Sequence, residues 1–342
     1  MAQDRKVRVA VDAMGGDYAP EEIVKGAVLA GQKGDVEIVL VGQVDTMEEE
    51  LAKHDSSGLP IRLAEATEVI REGEPPASAV RRKPNSSIVV ATKLVKSGEA
   101  DAVISAGPSG AVAVSAVQHL GMIEGMERPA IGGGFGSFAP GILLMDLGAN
   151  VDCKPYQLVA FAIAGSVYAR KLLGVPNPTV GLLSTGAEEG KGNELVREGY
   201  HLLEDSGVNF IGNIEGSDIL TGKANVIVLD GFVGNVLLKF YESIGDYALG
   251  WMRHKLKRYP LLGWIAKLVF DRTLPIAKLS YEGEEEGSGI LWGVNGIVRV
   301  AHGACRASDI AHGIAGAKKA VVADIIGALK PELERFKKEG KL

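Results

Sequence analysis

One recurring unit constrains this chain most: a short β-branched run, a sharp polar or glycine turn, then a helical stretch. Its clearest instance is residues 226–236, V-I-V-L-D-G-F-V-G-N-V, which runs on into a long helical pattern. Apolar β-branched runs bounded by Asp, Asn and Gly read as strands, and apolar spacing of three and four residues after them reads as helix. Strands that alternate with helices build βαβ units around a parallel sheet covered on both faces. The expected fold class is therefore α/β, a three-layer α/β/α sandwich with a mainly parallel sheet. In such sheets ligands bind beyond the carboxyl ends of the strands, where helix N-termini present free N–H groups. Asp230 and Asn235 fall at such an edge.

The same unit places strands over residues 7–11, 36–41, 61–64, 102–105, 142–146, 179–183, 210–211, 226–229 and 297–300. Helices are expected from Pro20, over 46–53, up to about 95 and 120, over 155–173, from Asn193, over 234–257 and over 307–329. Residues 131–141 are glycine-rich and resist assignment. No linker, low-complexity tract or fixed-period repeat interrupts the series. The expectation is a single α/β catalytic domain over residues 1–342, with an inserted, protruding helical hairpin over residues 236–280.

Composition narrows the function classes. Apolar residues make up 46% of the chain and charged residues 23%, enough for a large core. The formal charge of −6 argues against nucleic acid as a partner, which asks for a basic domain. Two cysteines, Cys153 and Cys305, form neither a disulfide framework nor a zinc spacing. The histidines are scattered, and no metal site or cofactor is indicated. The first residues hold only a strand-length apolar run, and no apolar run approaches the roughly 18 residues that span a bilayer. The expected location is the cytoplasm.

Three strand-to-helix turns are candidate anion cradles: Gly15-Gly16-Asp17 after Asp12, Gly107-Pro108-Ser109-Gly110 after Ser105, and residues 186–193. Backbone N–H groups in such turns bind anions. An α/β fold also needs glycine at sharp turns for geometry alone. Gly186 to Lys191 is one residue short of a P-loop and lacks the following Ser or Thr; Gly134 to Ala139 does not open a helix, so the dinucleotide fingerprint is absent. Lys191, between Gly190 and Gly192, stands where a helix begins. It suits an anion ligand or a neutraliser of transition-state charge, and a solvated loop lysine is the plain alternative. Cys153 has Lys154 beside it, which favours a thiolate; a buried small hydrophobe is the plainer reading. His302 fits a catalytic role, or a packed or capping one.

Residues 251–272 read W-M-R-H-K-L-K-R-Y-P-L-L-G-W-I-A-K-L-V-F-D-R. Arg253, Lys255, Lys257 and Arg258 precede Leu261, Leu262, Trp264, Ile265, Leu268 and Phe270. Basic residues beside Trp, Leu and Phe suit an anionic membrane surface. A hairpin packed in a dimer interface is the alternative.

These pieces, in this order, resemble the bacterial acyl-ACP:phosphate acyltransferases of phospholipid synthesis. The match rests on V-A-V-D-A-M-G-G-D (9–17), R-R-K (81–83), S-A-G (105–107), D-L-G-A-N-V-D-C-K-P (146–155), K-G-N-E-L (191–195), N-I-E-G (213–216), D-G-F-V-G-N-V (230–236), G-V-N-G (293–296) and A-H-G (301–303). It spans essentially the whole chain. The resemblance implies a fold related to phosphotransacetylases and isocitrate-dehydrogenase-like enzymes, as a homodimer. It implies transfer of a long acyl chain from acyl carrier protein to inorganic phosphate. The acyl phosphate would feed a membrane glycerol-3-phosphate acyltransferase.

On that resemblance Lys191, Asn193, Asp230 and Asn235 are the expected catalytic residues. Asp12, Gly15, Gly16, Asp17, Ser105, Gly107, Ser109, Gly110, Gly192 and Gly234 are expected to bind phosphate or substrate. Arg81, Arg82 and Lys83 are expected to dock the acidic carrier protein. The enzyme would sit peripherally on the inner face of the cell membrane. A CoA-dependent phosphate acyltransferase and a dinucleotide-dependent dehydrogenase of the related fold are the rivals.

Overall fold

The computed structural model describes residues 5–134, 141–257 and 288–340. The chain runs β1 (Val7–Asp12), α1 (Glu21–Gly31), β2 (Val36–Gly42), α2 (Val44–Leu51), β3 (Ile61–Glu65), α3 (Pro76–Arg82), α4 (Ser87–Ser97), β4 (Ala102–Ser105) and α5 (Ser109–Leu120). It continues through β5 (Ala130–Gly134), β6 (Leu143–Met145), α6 (Pro155–Lys171), β7 (Val180–Leu183), α7 (Glu194–Ser206), β8 (Phe210–Ile214), α8 (Gly216–Ile219), β9 (Val226–Val228) and α9 (Gly231–Lys257). The last elements are β10 (Ser288–Trp292), β11 (Ile297–Ala301), α10 (Ala307–Val322) and α11 (Ile325–Lys338).

The described strands form one 11-stranded sheet in the order β3-β2-β1-β4-β11-β10-β5-β6-β9-β7-β8. The two outer blocks are parallel within themselves. The middle is not: β11–β10, β10–β5 and β5–β6 are all antiparallel. Helices cover both faces, as expected. On one face α1, α6, α7, α10 and α11 pack a continuous core that includes Ile23, Leu158, Phe161, Leu203, Ile310 and Leu329. On the other, α3, α4 and α5 cover the first block through Val80, Val89 and Val112. There α8 and α9 cover the second block through Ile219, Val233 and Leu237.

Several expectations need correction. The glycine-rich stretch starts as β5, and β10 pairs with it; neither has a β-branched signature, because Gly132 and Gly133 sit under Trp292 and Leu147. Of the basic stretch at 81–83, Arg81 and Arg82 end α3. The closing helix is two helices. Asp324 has φ 48° and caps α11, accepting from the Gly327 N–H at 3.2 Å. The hairpin residues Arg258, Leu261, Leu262, Trp264, Ile265, Leu268 and Phe270 lie outside the described residues. Arg253, Lys255 and Lys257 fall on the last turns of α9.

Strand direction has the largest consequence for the site. Three successive antiparallel pairings reverse the chain between β11 and β6. The carboxyl ends of β1, β4 and β11 therefore lie on one edge of the sheet, and those of β6, β9 and β7 on the opposite edge.

Candidate active site

The residues expected to act together divide between these two edges. Asp12, Gly15, Gly16, Asp17, Ser105, Gly107, Ser109 and Gly110 follow β1 and β4. Lys191, Gly192, Asn193, Asp230, Gly234 and Asn235 follow β7 and β9. Neighbouring strands are about 4.8 Å apart, so the ends of β6 and β7, flanking β9, are about 10 Å apart. Three loops thus converge on the second edge.

The first edge is closed by its own hydrogen bonds. Asp12 is buried, and Ser105 Oγ donates to its Oδ2 at 2.6 Å while Met14 N donates to Oδ1 at 3.2 Å. Gly107 N donates to Ser105 Oγ at 3.0 Å. A Cβ on Gly15 would lie 2.6 Å from Asp12 Oδ2 and 2.7 Å from Gly107 N. Burial pushes the Asp12 carboxyl above its ordinary range, and the bonds from Ser105, Ser87, Met14 and Gly15 oppose that. Asp12 and Ser105 brace the two turns against each other. Asp17 and Ser109 remain exposed at the rim. His302 Nδ1 accepts from Ala304 N at 3.1 Å, the capping role.

At the second edge, Asn193 and Asp230 both cap helices. Asn193 Oδ1 accepts from Val196 N at 3.0 Å, and Asp230 Oδ1 accepts from Val233 N at 2.9 Å. Each satisfies an N–H that its helix leaves open. Lys191 and Asn235 differ: both are exposed, and neither head group has a partner among the described residues. The lysine stem lies across Gly186, where a Cβ would be 3.0 Å from Lys191 Cγ. Gly192, at φ 97°, turns the chain from Lys191 into α7. Asn235 lies beside Gly148, whose Cβ would be 3.3 Å from Asn235 Cβ.

The third loop follows β6 and carries Asp146 as well as Cys153. Its Asp146 is buried and takes N–H donors from Ala149 at 2.7 Å and Asn150 at 3.0 Å. Its place was visible in the sequence: Asp146 follows an apolar strand-like run and lies two residues before a glycine, much as Asp12 lies three residues before one. Cys153 closes this loop, its Sγ donating to Asn150 O at 3.5 Å. Burial, with the nearby Asp146 carboxylate, pushes its thiol up to about 12. The expected help from Lys154 does not materialise, so no activated thiol stands at this edge.

On the first edge Lys83 is also committed elsewhere. Its Nζ donates to Glu74 Oε1 at 2.7 Å and to Val69 O at 2.8 Å. Arg81 and Arg82 are exposed and free among the described residues. An apolar stripe of Phe232, Val236, Phe240, Ile244, Tyr247 and Trp251 is exposed along α9. Among the described residues no helix is long and apolar enough to cross a membrane. No group of three or more His, Cys, Asp or Glu among them is placed to hold a metal.

The architecture has solved counterparts. A phosphotransacetylase from Streptococcus pyogenes superposes with a TM-score of 0.60 at 16% identity, covering 94% of each chain. A branched-chain phosphotransacylase from Enterococcus faecalis gives 0.55 at 14%, covering 92% of this chain and 99% of that one. The fold is thus the α/β fold of the phosphotransacylases. Sequence narrows this further. A model of the fatty acid synthesis protein family matches residues 7–327. A phosphate acyltransferase of Pelotomaculum thermopropionicum is 43% identical over 337 residues, 98% of this chain and 97% of the relative. One from Desulfitobacterium hafniense is 46% identical over 331 residues, 96% and 98%. The chain belongs to this family of phosphate acyltransferases.

Proposed function

We propose that the protein transfers a long-chain fatty acyl group from the thioester of acyl carrier protein to inorganic phosphate. The observation that carries this reading is the second edge. There, among the described residues, a lysine and an amide whose head groups have no partner, Lys191 and Asn235, follow adjacent parallel strands, with no activated thiol beside them.

The chemistry needs positioning more than covalent help. A phosphate oxygen attacks the thioester carbonyl, a C–O bond forms and the C–S bond breaks. The carrier thiolate leaves and takes up the proton that phosphate brought, giving acyl phosphate and free thiol. Lys191 supports the charge of phosphate and of the transition state. Asn235 and the free amide group of Asn193 donate to phosphate or to the oxyanion. Asp230 orders the first turn of α9, so that Asn235 is presented from a fixed helix. A thiol held near 12 makes a poor nucleophile, which favours direct attack over an acyl-cysteine.

Arg81 and Arg82 dock the acidic carrier protein. The protein works as a homodimer at the inner face of the membrane, held by residues 251–272 on anionic lipid. Its product passes to a membrane glycerol-3-phosphate acyltransferase. The test is to incubate pure protein with palmitoyl-ACP and labelled phosphate and to look for labelled acyl phosphate. Formation only from palmitoyl-CoA would move the assignment to the CoA-dependent class.

A further inference from the structure

The loop after β6 is unusual at its first residue. Asp146 has φ 82°, a left-handed backbone that non-glycine residues seldom adopt. Such residues persist only where the surroundings enforce them, and they concentrate at functional sites. Here the enforcement is visible. Asp146 Oδ1 accepts from Gly148 N at 3.3 Å and Ala149 N at 2.7 Å. Its Oδ2 accepts from Asn150 N at 3.0 Å and Asn150 Nδ2 at 2.8 Å. The same Asn150 amide donates to Pro129 O at 2.7 Å, tying the loop back to the segment before β5.

This wrapped loop is the surface on which α9 starts. Gly231 N donates to Asn150 O at 2.7 Å, and a Cβ on Gly231 would lie 2.7 Å from that oxygen. Gly234 rests on the Asp146 carbonyl with no space for a side chain. Gly148 meets the side chain of Asn235 itself. The loop therefore touches α9 at Gly231, Gly234 and Asn235, three consecutive points on one helical face. Asp146 is enclosed by N–H donors, so it has no route to a substrate as an acid or a base.

We infer that Asp146 is a positioning residue: its carboxylate holds residues 147–150 rigidly against the first turn of α9 and so fixes where Asn235 stands. The kinetic consequence rests on the acyl-transfer reading above; the mechanical one does not. A site that loses this support keeps its substrate contacts but misplaces one donor, and small misplacements cost rate more than binding.

Asp146→Gly is the direct probe, because glycine accepts the left-handed backbone while removing the carboxylate. The expected result is a folded enzyme with kcat lowered about 10- to 100-fold and KM for phosphate and palmitoyl-ACP within about 3-fold. In an Asn235→Ala background the same change should lower kcat by no more than about 2-fold, since Asp146 acts through Asn235. Full multiplication of the two effects, or a kcat for Asp146→Gly within about 3-fold of the parent, would overturn the inference. Should Asp146→Gly not fold, Asp146→Asn carries the same test. It tolerates the backbone but turns an NH2 group toward the Asn150 donors. Amide hydrogen exchange supplies a reading that needs no turnover. Exchange at residues 148–150 and 233–235 should quicken together in either variant, and unchanged protection at 233–235 would contradict the inference. Absence of acyl phosphate in the parent protein would instead remove the acyl-transfer reading and leave the exchange result to decide the role of Asp146.

Discussion

Gly234 of α9 lies against the backbone carbonyl of Asp146, with no room for even one side-chain carbon between them. The contact joins the loop after β6 to the helix after β9, so the two halves of the site share a backbone interface. Gly234→Ala must push them apart. The expected loss is about 3 kcal/mol of unfolding free energy, the upper range for overpacking. Gly216→Ala is the control: its Cβ would meet nothing within 4 Å, so it should be neutral or slightly stabilising. Urea midpoints for the two variants check this, and equal midpoints would contradict it.

Cys153 is expected to be chemically quiet. With its thiol pushed up to about 12, only about one part in ten thousand is thiolate at pH 8. Cys153→Ser should keep kcat within about 3-fold of the parent, because a group that forms no bond to the acyl chain contributes little to the barrier. Its alkylation by iodoacetamide should stay slow until well above pH 9. Loss of turnover in a folded Cys153→Ser variant would reinstate an acyl-enzyme.

Asp12 gives the protein a pH signature. Its folded carboxyl is raised by burial, so its contribution to stability is complete below the unfolded value near 3.9 and is lost as pH rises through the folded value. Once ionised in the folded state, it costs stability. Asp12→Asn should therefore show a flatter fall in unfolding free energy than the parent as pH is raised from about 4. Parallel curves for the two proteins would show that Asp12 does not titrate with folding.

Among the described residues Arg81 and Arg82, at the end of α3, make no hydrogen bond or salt bridge, whereas Lys83 is tied to Glu74 and Val69. Charge reversal of the two arginines should raise KM for acyl-ACP about 10-fold and flatten its salt dependence, with kcat kept. Lys83→Ala should act on stability instead, because it removes the Glu74 ion pair and the bond to the Val69 carbonyl. An unchanged KM in the arginine variants would move carrier docking to another surface.

The sequence carried the layers and most elements, because β-branched runs and helical spacing are local signals. It also carried Asn193 as a helix-start residue, but it placed Asp230 in a turn and began the next helix at Gly234, three residues later than α9 begins. It could not carry strand direction. Nothing local in Gly132-Gly133 or in S-G-I-L-W marks β5 and β10 as antiparallel inserts, yet these two strands send the carboxyl ends of β1 and β9 to opposite edges. Eight expected ligand residues were thereby separated from Lys191 and Asn235. The role of Asp146 was less legible than its position, since its partners are the N–H groups of residues 148–150 and the Asn150 side chain, which only the folded loop brings to it.

Lys191 is the residue on which the proposed acyl transfer depends most. The decisive measurement is single-turnover formation of labelled acyl phosphate from palmitoyl-ACP and labelled phosphate, run on the parent protein and on Lys191→Ala. One acyl phosphate is expected per carrier thiol released by the parent. The expected rate is about 10²- to 10³-fold lower in Lys191→Ala, the usual effect of removing a transition-state charge partner. The exposed lysine should leave the melting temperature unmoved. Thiol release without labelled acyl phosphate, or a Lys191→Ala rate equal to the parent's, would contradict the proposal.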